Sequence, residues 1–267
     1  MATDNLLGEF LKARRARVEP SQRDLDLSGR RRVAGLRREE LARLAGISEP
    51  YLVRLEQGVD RHPSPQVVQA LARALELDAD TSAYLSALAA GAPDSASASA
   101  HAAEPGVSED VHRLLDAWKD SPAYVRNRRF DVLAANKLAR ALAAMYEPGR
   151  NLAREVFFSP QNRELLVDWP EIAEQTVAAL RAEADPRDPE TVALIAELET
   201  NEDFRRLWAM HDARPSRDEL KRFAHPIAGE LALRRQALTV GGAEQQVIIV
   251  YQAAPGSASE DALSRLV

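Results

Sequence analysis

Glu49, Pro50 and Arg54 lie around a short apolar framework whose spacing would hold them on one surface. A guanidinium can donate two hydrogen bonds to guanine O6 and N7, and such a contact discriminates against a wrong base by ~1–3 kcal/mol. Arg54 is the strongest candidate for that chemistry, with a salt bridge to Glu49 or Glu56 on its own helix as the alternative. Glu49 can accept from cytosine N4, or simply complement the helix dipole at a helix start. Arg38 is expected to hold a phosphate. Arg30, Arg31 and Arg32, with Arg37 and Arg38 close behind, form a basic run suited to backbone phosphates or a neighbouring minor groove. A solvated charge run is the alternative, but no acidic run lies beside it to compensate. Arg61 and His62 make a similar, weaker case.

Catalytic chemistry finds few residues. The chain has five histidines and no cysteine, which removes thiolate nucleophiles, disulfides and thiolate metal sites together. His211-Asp212 and His225 offer imidazole and carboxylate ligands, yet they are far apart in sequence, and structural hydrogen bonds are the expected use. There is no Gly-rich phosphate loop and no G-x-S-x-G elbow. No metal, cofactor or enzymatic activity is expected. Large aromatics concentrate in the second half: Tyr124, Phe130, Trp169, Phe204, Trp208 and Phe223 can line a pocket closed over a sheet, or pack as core.

The elements that must position these residues follow from apolar spacing. Leu6, Leu7, Phe10 and Leu11, then Leu41, Leu44, Leu52 and Leu55, then Val67, Val68, Leu71 and Leu75 recur at helical intervals, which predicts about five helices in ninety residues. Ser48 and Ser64 read as N-caps, Gly58 as a C-cap, and Asp80 or Thr81 as the cap of a last helix to about Leu88. Between Glu40 and Gly58 the order is that of a helix-turn-helix. Ala42 is small where two helices cross, Gly46 allows a turn that a Cβ would penalise, Ile47 plugs the corner, and Leu52 and Leu55 anchor the second helix. Glu49, Pro50, Val53 and Arg54 are left facing outward.

Residues 92–106 contain 12 Ala, Ser, Pro or Gly in 15 and read as a flexible linker. Beyond it the spacing predicts a helix from Glu109 to Trp118 and a hairpin through Pro122–Val125 and Phe130–Leu133, with a polar turn at 126–128. Helices follow at 136–145, 170–184, 189–198 and 202–211. Strands at 220–225, 229–238 and 246–253 are expected to close the chain, in an antiparallel sheet with helices over one face.

Charge supports this division. The net charge of -6 hides a balance of +4 over residues 1–75 and -10 over the remainder. No stretch approaches the ~20 apolar residues of a membrane span, and Met1–Asn5 lacks the basic start of a secretory signal, so a cytoplasmic location is expected.

The helix-turn-helix segment resembles regulators of the Xre/Cro type, over residues 1–90. The whole chain resembles a narrower group, the actinobacterial regulators that carry a MmyB-like ligand-binding domain. The residues that carry this likeness are Arg31–Ala42, Arg61–Pro65, Gly149–Leu152, Asp168-Trp169, Ala179–Arg181, Phe204–Trp208 with His211-Asp212, and His225–Leu231. Ala34 stands where Pro is usual and Ala213 where Val is usual, which affects local packing only. The resemblance implies a multidomain chain, with an all-α repressor-like helix-turn-helix domain (1–91), the linker (92–106) and an α+β PAS-like domain with an antiparallel sheet (107–267). It places Arg38, Glu49, Pro50 and Arg54, with Ser48 and Tyr51 in the same turn, toward double-stranded DNA, on a pseudo-palindromic operator bound by a homodimer. For the second domain it implies a lipophilic, fatty-acid-like effector, with Asn136, His211 and His225 joining the six aromatics as candidate contacts. A ligand-free dimerisation or protein-interaction module is the alternative.

Overall fold

The computed structural model describes residues 5–18, 35–91, 106–215, 219–243 and 245–266. These divide into two compact units, one within Met1–His101 plus Trp208–Arg214, the other within Ala102–Leu207 plus Pro215–Val267.

The first unit holds five helices, α1 (Leu6–Arg17), α2 (Arg38–Leu44), α3 (Glu49–Gln57), α4 (Pro65–Ala74) and α5 (Ala79–Ala90). Four of them start on a side chain that accepts from an otherwise orphaned first-turn amide: Asn5 from Gly8, Ser48 from Tyr51, Ser64 from Val67 and Asp78 from Thr81. The expected cap at Asp80 or Thr81 is therefore corrected to Asp78. The carboxylate of Asp78 reaches the Thr81 amide at 2.8 Å, and Thr81 itself is buried within the first turn. The helix also runs past Leu88 to Ala90 and stops at Gly91, whose φ is +65°. Gly46 has φ +66°, the left-handed turn for which its position in the motif calls. Leu11, Leu36, Leu41, Leu52, Leu55, Leu71 and Leu85 are fully or almost fully buried in one core, each contributing about 1.5–3 kcal/mol on burial. Within this unit Asp212 accepts from Arg14 and Arg17, and Arg17 also donates to the Met210 carbonyl.

The second unit begins with α6 (Glu109–Ala117) and the hairpin β1 (Ala123–Arg126) and β2 (Val132–Ala135). Then come α7 (Lys137–Leu142), α8 (Leu152–Phe158), α9 (Pro160–Leu165), α10 (Trp169–Glu183), α11 (Pro189–Leu198) and α12 (Glu202–Trp208). It closes with β3 (Glu219–His225), β4 (Gly229–Thr239), β5 (Val247–Ala253) and α13 (Ala258–Leu263). The strands form one antiparallel sheet in the order β2-β1-β5-β4-β3.

Several expectations change here. The helix read over 136–145 is the shorter α7 followed by a 3-10 turn at Ala144–Tyr146, because Ala143 between them is extended. Helix α12 ends at Trp208, and His211 sits beyond it with φ +52°. Helices α8 and α9 carried no assignment from spacing, since each is under eight residues and too short to show a period. Beyond β5, where the spacing closes the chain on strands, lie α13 and a 3-10 turn at Ser264–Leu266. Ser259 of that helix accepts from the Ala232 amide of β4, a donor lying just past the β5 pairing that begins at Leu233.

Helices also cover both faces of the sheet, not one. Val111 and Leu115 of α6 pack on Ala123, Val125, Ala134, Ile248 and Val250. Strand alternation sends Tyr124, Arg126, Phe223, Leu231, Leu233, Arg235, Ile249 and Tyr251 to the opposite face.

Asp188 caps α11 and illustrates how these helices are tied down. It accepts from the Glu190 and Thr191 amides, the Thr191 hydroxyl and Arg129. Partial burial pushes its pKa up, but the hydrogen bonds from Thr191 and Arg129 outweigh that and hold it below the ordinary 3.8. A carboxylate depressed in the folded state stabilises above its unfolded pKa and loses that contribution as pH falls through the folded value. Asp188→Ala should cost ~1 kcal/mol at pH 7, read by denaturant titration, with the difference from wild type shrinking below about pH 4.

Candidate functional site

In α3 the inward placement of Leu52 and Leu55 leaves Ser48, Glu49, Pro50 and Arg54 exposed. Pro50 is tolerated because a first-turn amide has no intrahelical acceptor. Arg54 donates from Nε to Asp60 Oδ2 at 2.7 Å, and its guanidinium carbon lies 5.5 Å from the centre of the Tyr51 ring. The alternative partners considered from sequence, Glu49 and Glu56, are not the ones it takes.

Glu56 faces inward instead and is fully buried. Its Oε1 accepts from Arg15 Nε of α1 at 2.8 Å and its Oε2 from Arg38 Nε of α2 at 2.6 Å, so one carboxylate ties three helices. Arg15 also donates to the Leu36 carbonyl at 2.8 Å. The hydrogen bond to Glu56 is the leading reason that the Arg38 pKa is raised, with the charge of Glu49 acting in the same direction. About half of the Arg38 side chain stays exposed, beside the exposed start of α3. The Arg37 amide donates to Glu40, its guanidinium pairs with Glu39 at 3.4 Å, and Arg61 donates to the Gly58 carbonyl. His62 Nδ1 lies 3.3 Å from the Ala89 carbonyl at the end of α5. Arg30, Arg31 and Arg32 lie outside the described residues.

The second unit gathers its polar aromatic chemistry in one place. Tyr124, Tyr146 and Tyr251 are buried together, with the Tyr124 and Tyr146 rings stacked at 4.6 Å and the Tyr146 and Tyr251 hydroxyls 3.1 Å apart. Phe223 meets Tyr251 edge-on at 5.6 Å. Arg235, buried and directly opposite Tyr251 across the strands, completes the group. Burial pushes all three phenols above their ordinary pKa. Burial works against the charge on Arg235, but the oxygens of Tyr124 and Tyr251 and the charges of Glu219 and Glu183 outweigh it. At neutral pH the cluster is thus a buried cation among neutral hydroxyls. Next to it Arg126, also buried, binds Glu183 at 2.7 Å and lies 4.1 Å over the Phe130 ring.

The candidates read from sequence divide accordingly. Tyr124 and Phe223 come together through Tyr251. Trp169 and Phe204 meet in a second group through Phe157, at ring distances of 6.2 and 5.2 Å, with the Trp169 indole donating to the Val156 carbonyl. Asn136 caps α7, donates to the Trp118 and Ser121 carbonyls and accepts from the Ala123 and Ala139 amides, so the backbone occupies its amide. His225 is used the same way, Nδ1 accepting from Ala228 and Nε2 facing the Ala141 carbonyl at 3.2 Å. Trp208 and His211 belong to the segment Trp208–Arg214 grouped with the helical unit. The reading passed over Tyr146, Tyr251, Arg126 and Arg235. One signal was available: in β4 the inward series Leu231, Leu233, Arg235, Ala237 is apolar except for one guanidinium.

Among the described residues no group of three His, Asp or Glu could hold a metal ion, and no helix is long and apolar enough to cross a membrane. Comparison with curated proteins returned no match. Residues 6–85 match the helix-turn-helix domain family, and residues 107–266 match the MmyB-like transcription regulator ligand binding domain. The helix-turn-helix geometry of α2 and α3 and the five-stranded sheet unit agree with these two matches. The chain therefore belongs to the MmyB-like family of transcription regulators, with an N-terminal helix-turn-helix domain that binds DNA and a C-terminal domain that senses a small-molecule effector.

Proposed function

We propose that this regulator reads a pseudo-palindromic operator as a homodimer, working in the cytoplasm, and that its C-terminal domain takes a lipophilic effector with a polar end. The observation that carries the DNA half is the exposed face of α3, where Glu49, Pro50 and Arg54 stand clear of the core while Arg38 flanks them. In a major groove that face meets base edges, and two copies on a palindrome would place their recognition helices about one turn, ~34 Å, apart. The working boundaries are residues 1–91 for DNA, 92–106 for the linker and 107–267 for the effector domain.

The lipophilic reading draws support from Arg235 and three phenols buried among aromatic and aliphatic side chains, with the Arg126–Glu183 pair beside them. An amphipathic molecule such as a fatty acid could place its polar end there and its chain among the aromatic and aliphatic side chains. An effector that prefers one arrangement of the dimer shifts DNA binding by its differential affinity. No catalytic role is assigned to either domain.

Native mass spectrometry of the purified full chain, followed by denaturing extraction, tests the effector. A stoichiometric lipid in the complex is the expected result. A clean apo mass together with no rise in melting temperature on adding a saturated fatty acid series would overturn the lipophilic reading and favour a ligand-free interaction module.

A further inference from the structure

The contact between Arg54 and Asp60 is a partly exposed ion pair, a class worth little to fold stability. Its geometry has another use. After α3 the chain reverses at Gly58, with φ +72°, and the Val59 and Asp60 amides both point back to the Arg54 carbonyl, at 2.9 and 3.3 Å. This reversal delivers the Asp60 carboxylate to the side chain of the residue whose carbonyl anchors the loop. Arg61 holds the same turn by donating to the Gly58 carbonyl.

The carboxylate engages the Nε edge of Arg54, while the Tyr51 ring one turn earlier lies beside the guanidinium. These two contacts restrict the long side chain, and the terminal amino groups are the pair that reaches guanine O6 and N7 end-on. A flexible arginine loses rotamer entropy when it docks on a base; one already held by a carboxylate and an aromatic ring does not lose as much. An acidic residue beside DNA also repels phosphates, so its presence lowers affinity for every sequence alike.

We propose that Asp60 is a positioning residue that presets Arg54 for guanine and so sets base specificity, at some expense in non-specific affinity. This rests on the reading that Arg54 contacts a base. Asp60 binds no DNA itself; it acts through Arg54.

The test uses the full chain and a duplex selected by it from a randomised library. Wild type, Arg54→Ala, Asp60→Asn and the double variant are compared for affinity to the selected duplex, to single-base variants at each guanine and to unrelated duplex, with melting temperature measured in parallel. Asp60→Asn is expected to reduce discrimination at one guanine position about tenfold, within the roughly 5- to 150-fold that a bidentate contact supplies. Its affinity for unrelated DNA should hold or rise, its melting temperature should stay at the wild-type value, and the substitution should have no effect on discrimination once Arg54 is alanine. If Asp60→Asn tightens binding to all duplexes equally and leaves the discrimination intact, the positioning role is overturned while the base contact of Arg54 stands. If Arg54→Ala leaves every base preference intact, the base-contact reading itself falls, and the role of Asp60 with it.

Discussion

Replacing Glu56 with alanine is expected to cost the helical unit about 3 kcal/mol, a large share of the stability of a small domain. The carboxylate is fully buried and serves Arg15 and Arg38 at once, with both of its oxygens occupied. Its removal leaves Arg15, mostly buried, without a counter-charge, and it frees Arg38 from its fixed position at the start of α2. Exposed Arg38 can rehydrate, which is why the lower end of the range for broken buried pairs applies. In a unit of this size the loss corresponds to a fall in melting temperature on the order of 10–20 °C. DNA binding should weaken even at temperatures where the variant is folded, because Arg38 no longer has a fixed direction. Glu56→Gln separates the two effects: it keeps the volume and one acceptor but removes the charge, and should recover part of the stability. A variant with unchanged melting temperature would show that the bridge contributes nothing net.

The second large effect is expected at Tyr251. The central strand β5 carries it into contact with Tyr124, Tyr146 and Phe223, so truncation to alanine opens a void at the middle of the aromatic cluster. Aromatic-to-alanine changes at such sites cost about 3–5 kcal/mol, and denaturant titration should show a loss in that range. Tyr251→Phe is the informative partner. It removes only the hydroxyl that meets Tyr146 Oη at 3.1 Å, at ~1 kcal/mol, and leaves the rings packed. If the phenols and Arg235 receive the polar end of an effector, Tyr251→Phe should fold normally yet lose about tenfold in affinity for a fatty acid, seen as a smaller ligand-induced rise in melting temperature. Unchanged fatty-acid affinity in that variant would return Tyr251 to a purely structural role.

Much of the DNA-reading surface was legible before any coordinates because it is local. Ser48, Pro50, Leu52, Leu55 and Gly58 fix a helix start, an inward face and a stop within eleven residues, and the outward face of Arg54 and Glu49 follows from 3.6-residue periodicity alone. What Arg54 pairs with was not legible. Both sequence candidates lay on its own helix, whereas the partner arrives from beyond Gly58 through a reversal whose direction depends on three-dimensional backbone geometry. Glu56 shows the same limit, since a glutamate at a helix end reads as solvent-facing until two arginines from other helices are seen to enclose it.

In the second half the sequence by itself determined the strands β3, β4 and β5, whose alternation and bounding turns are strong signals, and the helices α10 and α11, which are long enough to display a period. Spacing also marked α7, though not where it stops, whereas the short helices α8 and α9 and the terminal α13 were fixed by packing rather than by pattern. The same physics separates the site residues. Asn136, which the resemblance offered as a ligand contact, serves backbone amides and carbonyls, and His225 makes the structural hydrogen bonds expected of it, because a buried donor or acceptor must be paired wherever the fold places it. Tyr146, Arg235 and Tyr251 lie up to 105 residues apart and become one cluster only when β4 and β5 pair in a register that sets Arg235 opposite Tyr251. A one-residue slip would turn those side chains to the other face of the sheet, so local sequence dictated the strands and tertiary registration alone assembled the buried cluster.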